Sequence, residues 1–277
     1  MTDAGLDTAF DRATAVTQAD DGSWTATCDT AWSAARGPNG GYLAAIVLRA
    51  IVAEVADPGR APRSLTLHYL RPPADGDLAV DATVERTGRS MTSVSARVSQ
   101  GGRLCVLALA ALAADREGIV DYAARMPSVP PPGDVPAVAM GPGAPAIARQ
   151  FEVRPAVGAP PFTGADEAVT GGWLRFAEPR PLDAAALAMY ADAWLPAPFP
   201  RLTAPAGAPT IDLTVHFRAP AAAAAVPPDE PVLAIFRSTT SEGGFFEEDG
   251  ELWTRDGVLL AQSRQLALLE PLDRAAA

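Results

Sequence analysis

"GPNGGYLAAIVLRAIVAEVADPG", residues 37 to 59, decides the fold. From about Gly41 to Ala56 it reads as a helix, with Asn39 as N-cap and Asp57-Pro58-Gly59 as its stop. Apolar side chains occupy nearly every side of it, and a helix apolar all round has to be buried all round. Strands follow it: "SLTLHYLRPP" (64–73), "LAVDATVERTG" (78–88), "SMTSVSARVSQ" (90–100), a Gly101-Gly102 turn and "RLCVLALAALA" (103–113). Val94, Ala96 and Val98 alternate with Ser93, Ser95, Arg97 and Ser99, the period of a half-buried strand. Hairpin-length connections exclude a parallel sheet, which needs a crossover between neighbouring strands.

The same plan recurs downstream. "LDAAALAMYADAWLPAPF" (182–199) reads as one apolar helix, capped by Asp183 and ended by Pro196, with a single further acid, Asp192. After it come "TIDLTVHFRAP" (210–220), "PVLAIFRSTTS" (231–241), "GFFEEDGELWT" (244–254), an Asp256-Gly257 turn and "VLLAQSRQLALLE" (258–270). Arg71 and Pro73 line up with Arg218 and Pro220. Between the copies proline crowds the chain, ten of its 27 falling from Pro127 to Pro161. Such a stretch holds neither a long helix nor a central strand. The expected organisation is α+β: a first repeat over 1–118, a Pro-rich connector over 119–165 and a second repeat over 166–277. Each repeat is expected to be an antiparallel sheet wrapped around a central helix.

Bulk properties narrow the function. All 22 basic residues are arginine, and with abundant Ala, Pro and Gly this reflects a residue bias that lowers the weight of any single arginine. A net charge of −11 argues against nucleic acid or an anionic membrane as partner. The acidic, polar start "MTDAGLDTAF" lacks the features of a signal peptide, and no apolar stretch reaches the ~20 residues that span a bilayer. Cys28 and Cys105 make no disulfide framework. The expected setting is the reducing cytoplasm. Two His and two Cys, widely separated, do not make a metal site, and no Gly-x-Ser-x-Gly elbow is present.

An internal repeat is its own control: polar residues of one copy that face apolar residues of the other stand out. Pairing Gly257 with Gly102 sets Gln265 against Ala110, and pairing Asp183 with Gly41 sets Asp192 against Ala50. Thr210 opens a strand directly after Pro209, although alternation places it with Asp212, Thr214 and His216 on the polar face. On the residues alone, Thr210 is also explained as an ordinary strand opener, Gln265 as an outward strand residue and Asp192 as a solvated acid near a helix end. A buried Asp, by contrast, has to be hydrogen-bonded or shift its pKa.

The chain resembles the acyl-CoA thioesterases of the thioesterase II type, which are built as a double hotdog. The likeness runs through "NGGYLAA", "SLTLHYLRPP", "MPSVPPP", "FEVRPAV", "YADAWLP", "TIDLTVHFR" and "DGVLLAQSRQ". It implies a catalytic trio of Asp192, Thr210 and Gln265 and hydrolysis of an acyl-CoA, with no cofactor. The first helix begins "PNGGY" where the family has Gly-Gly-Gln, and the connector is shorter than in well-known members. On this reading Asp192 is the general base, with Thr210 and Gln265 holding the water. The helix start Asn39-Gly40-Gly41-Tyr42 binds substrate, its free N–H groups facing the thioester carbonyl. Arg71 and Arg218, both at strand ends, or Arg86 and Arg89 near "ERTGRS", are the candidates for the CoA phosphates. Because hotdog sheets pair edge to edge, a homo-oligomer is expected. A hydratase or dehydratase on the same fold would need a catalytic His, and His68 and His216 both lie within strands. The remaining alternative is a non-catalytic acyl-CoA-binding protein, since fold alone does not settle function.

Overall fold

The structure, a computed structural model, describes residues 8–141 and 143–271. Eleven strands of five residues or more are β1 Trp24–Cys28, β2 Ala61–Tyr69, β3 Gly76–Thr87, β4 Met91–Gln100, β5 Arg103–Ala113, β6 Phe151–Val157, β7 Val169–Phe176, β8 Thr210–Phe217, β9 Val232–Arg237, β10 Phe245–Trp253 and β11 Leu259–Leu268. Helix α1 is Ala9–Ala13, α2 is Gly40–Val55 and α3 is Ala184–Tyr190. With the short strands Thr17–Gln18 and Ser241–Glu242, the eleven long strands form one 13-stranded antiparallel sheet in which they run in the order β1-β3-β4-β5-β2-β8-β11-β10-β9-β7-β6. The first half runs β1-β3-β4-β5-β2; the second repeats that sequence of roles in mirror order from β8 to β7. Each repeat thus holds a fifth strand, β1 or β7, ahead of its helix, which the sequence pattern leaves unmarked.

The two halves join without a break. Strand β2 pairs with β8 from Ser64↔His216 to His68↔Asp212. At its centre Thr66 and Thr214 face each other, their hydroxyls 3.0 Å apart. The edge-to-edge contact that suggests pairing between chains is therefore made inside one chain.

Helix α2 packs on β2, β3, β4 and α3. Its apolar residues from Tyr42 to Ile51 are buried, Ile46, Leu48 and Ile51 among the largest, while Val52 near its end is exposed; each large buried side chain contributes about 1.5–3 kcal/mol. The second helix is shorter than its apolar sequence suggests. Instead of continuing to Pro196, α3 ends at Tyr190. The Asp192 and Ala193 N–H groups close tight turns onto Met189 and Tyr190, and the Asp192 carbonyl accepts from Asn39 Nδ2 at 2.7 Å. A carbonyl engaged by a neighbouring element, with Pro196 and Pro198 close behind, cannot carry the helix further.

The proline-rich connector contributes β6, an edge strand beside β7. Pro155 sits in it, at the sheet margin where a missing N–H is tolerated. Among the described residues, no helix is long and apolar enough to cross a membrane.

Candidate active site

The start of α2 abuts the end of α3. Asn39 caps α2, its Oδ1 accepting from Tyr42 N–H at 3.1 Å. Its Nδ2 and the Gly41 N–H both donate to Asp192 Oδ2 at 3.0 Å. Close approach requires the two glycines. A Cβ on Gly40 would stand 2.9 Å from Asp192 Oδ2, and one on Gly41 would stand 2.6 Å from the Met189 carbonyl oxygen. Burial lifts the Asp192 carboxyl to about 6, against the Gly41, Gly40 and Asn39 hydrogen bonds that favour its charge. The residue nevertheless keeps partial exposure. Tyr69 lies alongside, donating to the Gly40 carbonyl at 2.8 Å. Burial, then the charges of Asp192 and Asp212, hold its phenol far above the usual range.

Thr210 and Gln265 meet in the same region. Alternation along β8 assigns Thr210 to the outer face, but the ladder shifts register between Thr210 and Asp212. This bulge pairs Thr210 with buried Ala267 and Asp212 with exposed Leu266, turning Thr210 inward. Its hydroxyl then donates to Gln265 Oε1 at 2.9 Å. Gln265 is only 6% exposed, and its Nε2 donates to Glu248 Oε1 at 2.6 Å. Glu248 Oε2 accepts from the Ala197 N–H. Burial lifts Glu248 to about 7; the Ala197 and Gln265 hydrogen bonds oppose this, and the charges of Asp192 and Glu247 add to it. The structure thus joins Thr210 and Gln265 directly, and sets Asp192 in a second cluster close enough for its charge to act on Glu248.

Glu248 is absent from the sequence-derived trio, although the repeat contains its signal. Ala110 pairs with Leu65 and Val94; Gln265 pairs with Leu213 and Glu248. Val94 is therefore the counterpart of Glu248, apolar against acidic. Gapless pairing on the turn glycines instead sets Glu248 against Ser93, because the second hairpin loop carries extra residues. By the same relation Thr210 matches Pro62. Matching the two N-caps, Asn39 and Asp183, sets Asp192 against Leu48 rather than Ala50.

Among the described residues, the first half builds no such site. Where α3 begins, Arg180 bridges Asp11 and Asp183 at 3.0 and 2.8 Å, and Arg49 bonds Asp11 at 2.6 Å.

Three expected binding residues stand differently in the structure. Tyr42 is fully buried; its hydroxyl bonds the Ala13 and Thr27 carbonyls at 2.9 Å and its ring stacks on Trp32. It is a core residue, because the inward face of α2 carries it away from the helix start. The Gly41 N–H, expected free for a carbonyl, is taken by Asp192. Arg218 lies at the far end of β8, about 25 Å along the strand from Thr210, exposed and bonded to Gln262. Arg71 follows β2 at the Tyr69 end, donates to the Leu104 carbonyl at 2.9 Å and borders a cleft of about 180 Å³ with Gln100 and Arg103. The strand alignment matches Arg71 to Ala219, not Arg218: the Arg71 and Ala219 N–H groups bond the equivalent carbonyls of Cys105 and Leu260. His68 and His216 are exposed on the outer sheet face. Among the described residues no group of three His, Cys, Asp or Glu is placed to hold a metal.

The acyl-CoA thioesterase N-terminal domain matches residues 29–113, and the acyl-CoA thioesterase C-terminal domain matches residues 124–269. A hot dog fold protein of unknown function from Alicyclobacillus acidocaldarius is 31% identical, with TM-score 0.88 over 96% of this chain and 99% of that one. A thioesterase II candidate from Thermobifida fusca is 26% identical, with TM-score 0.82 over 95% and 97%. An acyl-CoA thioesterase II from Mycobacterium marinum shares the fold at 21% identity, with TM-score 0.77 over 96% and 100%. No curated protein matches the chain.

Proposed function

Because the chain belongs to the acyl-CoA thioesterase family, we propose that it hydrolyses an acyl-CoA thioester to a carboxylic acid and free CoA, with Asp192 as general base and Thr210 and Gln265 holding the attacking water. The reading rests on one observation: a desolvated yet partly accessible carboxylate, lifted to about 6, beside a hydroxyl–amide pair that only one half of the chain contains. A base with its pKa near neutrality is both charged and able to take a proton at pH 7–8.

Thr210 gives its only proton to Gln265, so its oxygen is left to accept one from water. Gln265 uses one Nε2 proton on Glu248 and keeps the other as a donor. Water bound among Thr210, Gln265 and Asp192 passes a proton to Asp192 as its oxygen bonds the thioester carbonyl carbon. Collapse of the tetrahedral adduct breaks the C–S bond, and the proton on Asp192 passes to the leaving sulfur. The positive end of α2 steadies the charge at this point. The Gly40-Gly41 start thereby serves Asp192 rather than a substrate carbonyl.

A series of acyl-CoAs of graded chain length, assayed for free thiol, is expected to show turnover for at least one member. Binding of the series with no thiol release establishes the binding-protein reading instead. The asymmetry of the halves also sets a stoichiometry. A non-hydrolysable acyl-CoA thioether titrated calorimetrically is expected to saturate at one per chain, and saturation at two overturns the single-site assignment.

A further inference from the structure

The geometry points to Glu248 as a positioning residue that fixes which way the Gln265 amide faces, an inference that rests on the hydrolase reading above. An amide can be turned end for end at little steric cost, and its two orientations present opposite hydrogen-bonding character to Thr210 and to water. Something has to choose between them. Thr210 cannot, because a hydroxyl donates or accepts with equal ease.

Glu248 can. Its Oε2 accepts from the Ala197 backbone N–H and its Oε1 accepts from Gln265 Nε2 at 2.6 Å. In its charged form, which prevails above about pH 7, Glu248 offers only acceptors, so the amide nitrogen has to face it and the amide oxygen has to face Thr210. That oxygen takes the Thr210 proton at 2.9 Å. The result is a one-way chain of donors: Thr210 O–H to Gln265 oxygen, Gln265 N–H to Glu248, with Ala197 N–H holding the far end. Burial supports this order. Glu248 and Gln265 are 4% and 6% exposed while Thr210 is half-buried, so the acid lies behind the amide and away from the opening. The counterpart pair in the first half is Val94 and Ala110, which shows that the fold itself does not require an acid here. No hydrogen bond links Glu248 to Asp192 in the described network; the two act on each other through charge alone, and the amide is the hydrogen-bonded route from Glu248 to the water.

Two variants test the assignment. In Glu248→Gln the new amide must still accept from Ala197 N–H, so it turns its own NH₂ toward Gln265 and reverses the chain. Expected is a fall in kcat of between about 10- and 100-fold with KM within about twofold, the scale of a misaligned catalytic group. Placed in a Gln265→Ala background, the same substitution is expected to have no further effect. The exchange Glu248→Gln/Gln265→Glu decides between positioning and support, and stands alone if the single variant does not fold. It satisfies every partner: Ala197 N–H to the residue-248 oxygen, the residue-248 NH₂ to the residue-265 carboxylate, and Thr210 O–H to the same carboxylate. Expected is a folded protein that melts near the wild type but has lost activity as fully as Gln265→Ala, because no donor remains to face the water.

Wild-type kcat in Glu248→Gln, losses that add to those of Gln265→Ala, or activity retained by the exchange each overturn the positioning role. The underlying reading fails separately, through an Asp192 variant that keeps its turnover.

Discussion

Asp192→Asn is expected to lower turnover by at least about 100-fold while raising the melting temperature at pH 8. Asn keeps the shape: its oxygen replaces Oδ2 and accepts from Gly41 N–H and Asn39, while its NH₂ turns toward the opening. What it removes is the base. The stability gain follows from the direction of the pKa shift. Burial lifts the Asp192 carboxyl from 3.8 to about 6, so the folded state binds the proton more tightly than the unfolded chain does. Holding the charged form folded therefore carries a penalty that is absent below about 4, grows between 4 and 6 and is complete above 6. Full desolvation would set it at roughly 3 kcal/mol, and the partial exposure of Asp192 reduces it to about 1–2 kcal/mol. Wild type and variant are expected to melt together near pH 3.5 and to separate by about 2–6 °C above pH 7. Wild-type turnover is expected to begin falling below about pH 7, where Glu248 takes a proton, and to fall by at least about tenfold per pH unit below about 6, as the base takes its own. Retained turnover in the variant, or lower stability at pH 8, contradicts the assignment.

Gly41→Ala is expected to be harmful where helix propensity says it should help. In an exposed helix the change gains about 1 kcal/mol. Here the new methyl would stand 2.6 Å from the Met189 carbonyl oxygen and 3.0 Å from that of Ala188, both of them backbone. Neither can turn aside as a side chain does, so α2 has to move off α3. A net loss of about 1–3 kcal/mol is expected in urea melts, together with at least about a tenfold loss of kcat as the Gly41 N–H leaves Asp192. An increase in stability would mean that the helix contact is looser than described.

The fold was legible because its signals are local. Apolar helices with recognisable caps, strands of period two and glycine turns recur in the same order twice, and the four long strands that follow α2 or α3 within each repeat overlap the quoted segments, whereas β1 and β7 do not. The misreadings arise where a single residue changes parity. Alternation sends Thr210 outward, and only the bulge before Asp212 turns it in. Glu248 hides for the same reason, since unequal hairpin loops slide its strand by one place and set it against Ser93 instead of Val94. Neither shift is visible in composition or periodicity, because a bulge is decided by pairing with a distant strand. Asp192, Thr210 and Gln265 are candidates that the repeat and the family resemblance single out, and the proposed function rests on them. Tyr42 lies in the core although it follows Gly41 in sequence, because the next residue of a helix lies about 100° around the axis.

The unbroken ladder from β2 to β8 has a mechanical consequence. Five residue pairs, Ser64–His216 through His68–Asp212, bind the two halves into one plate. Domain closure of the kind that opens and shuts many enzymes would have to rip this seam, and there is no hinge across it. On the proposed reading, access to Asp192 is left to local movements of side chains and loops rather than to one half swinging against the other. Its rhythm is that of loops and side chains, nanoseconds to microseconds, rather than the slower swing of rigid bodies.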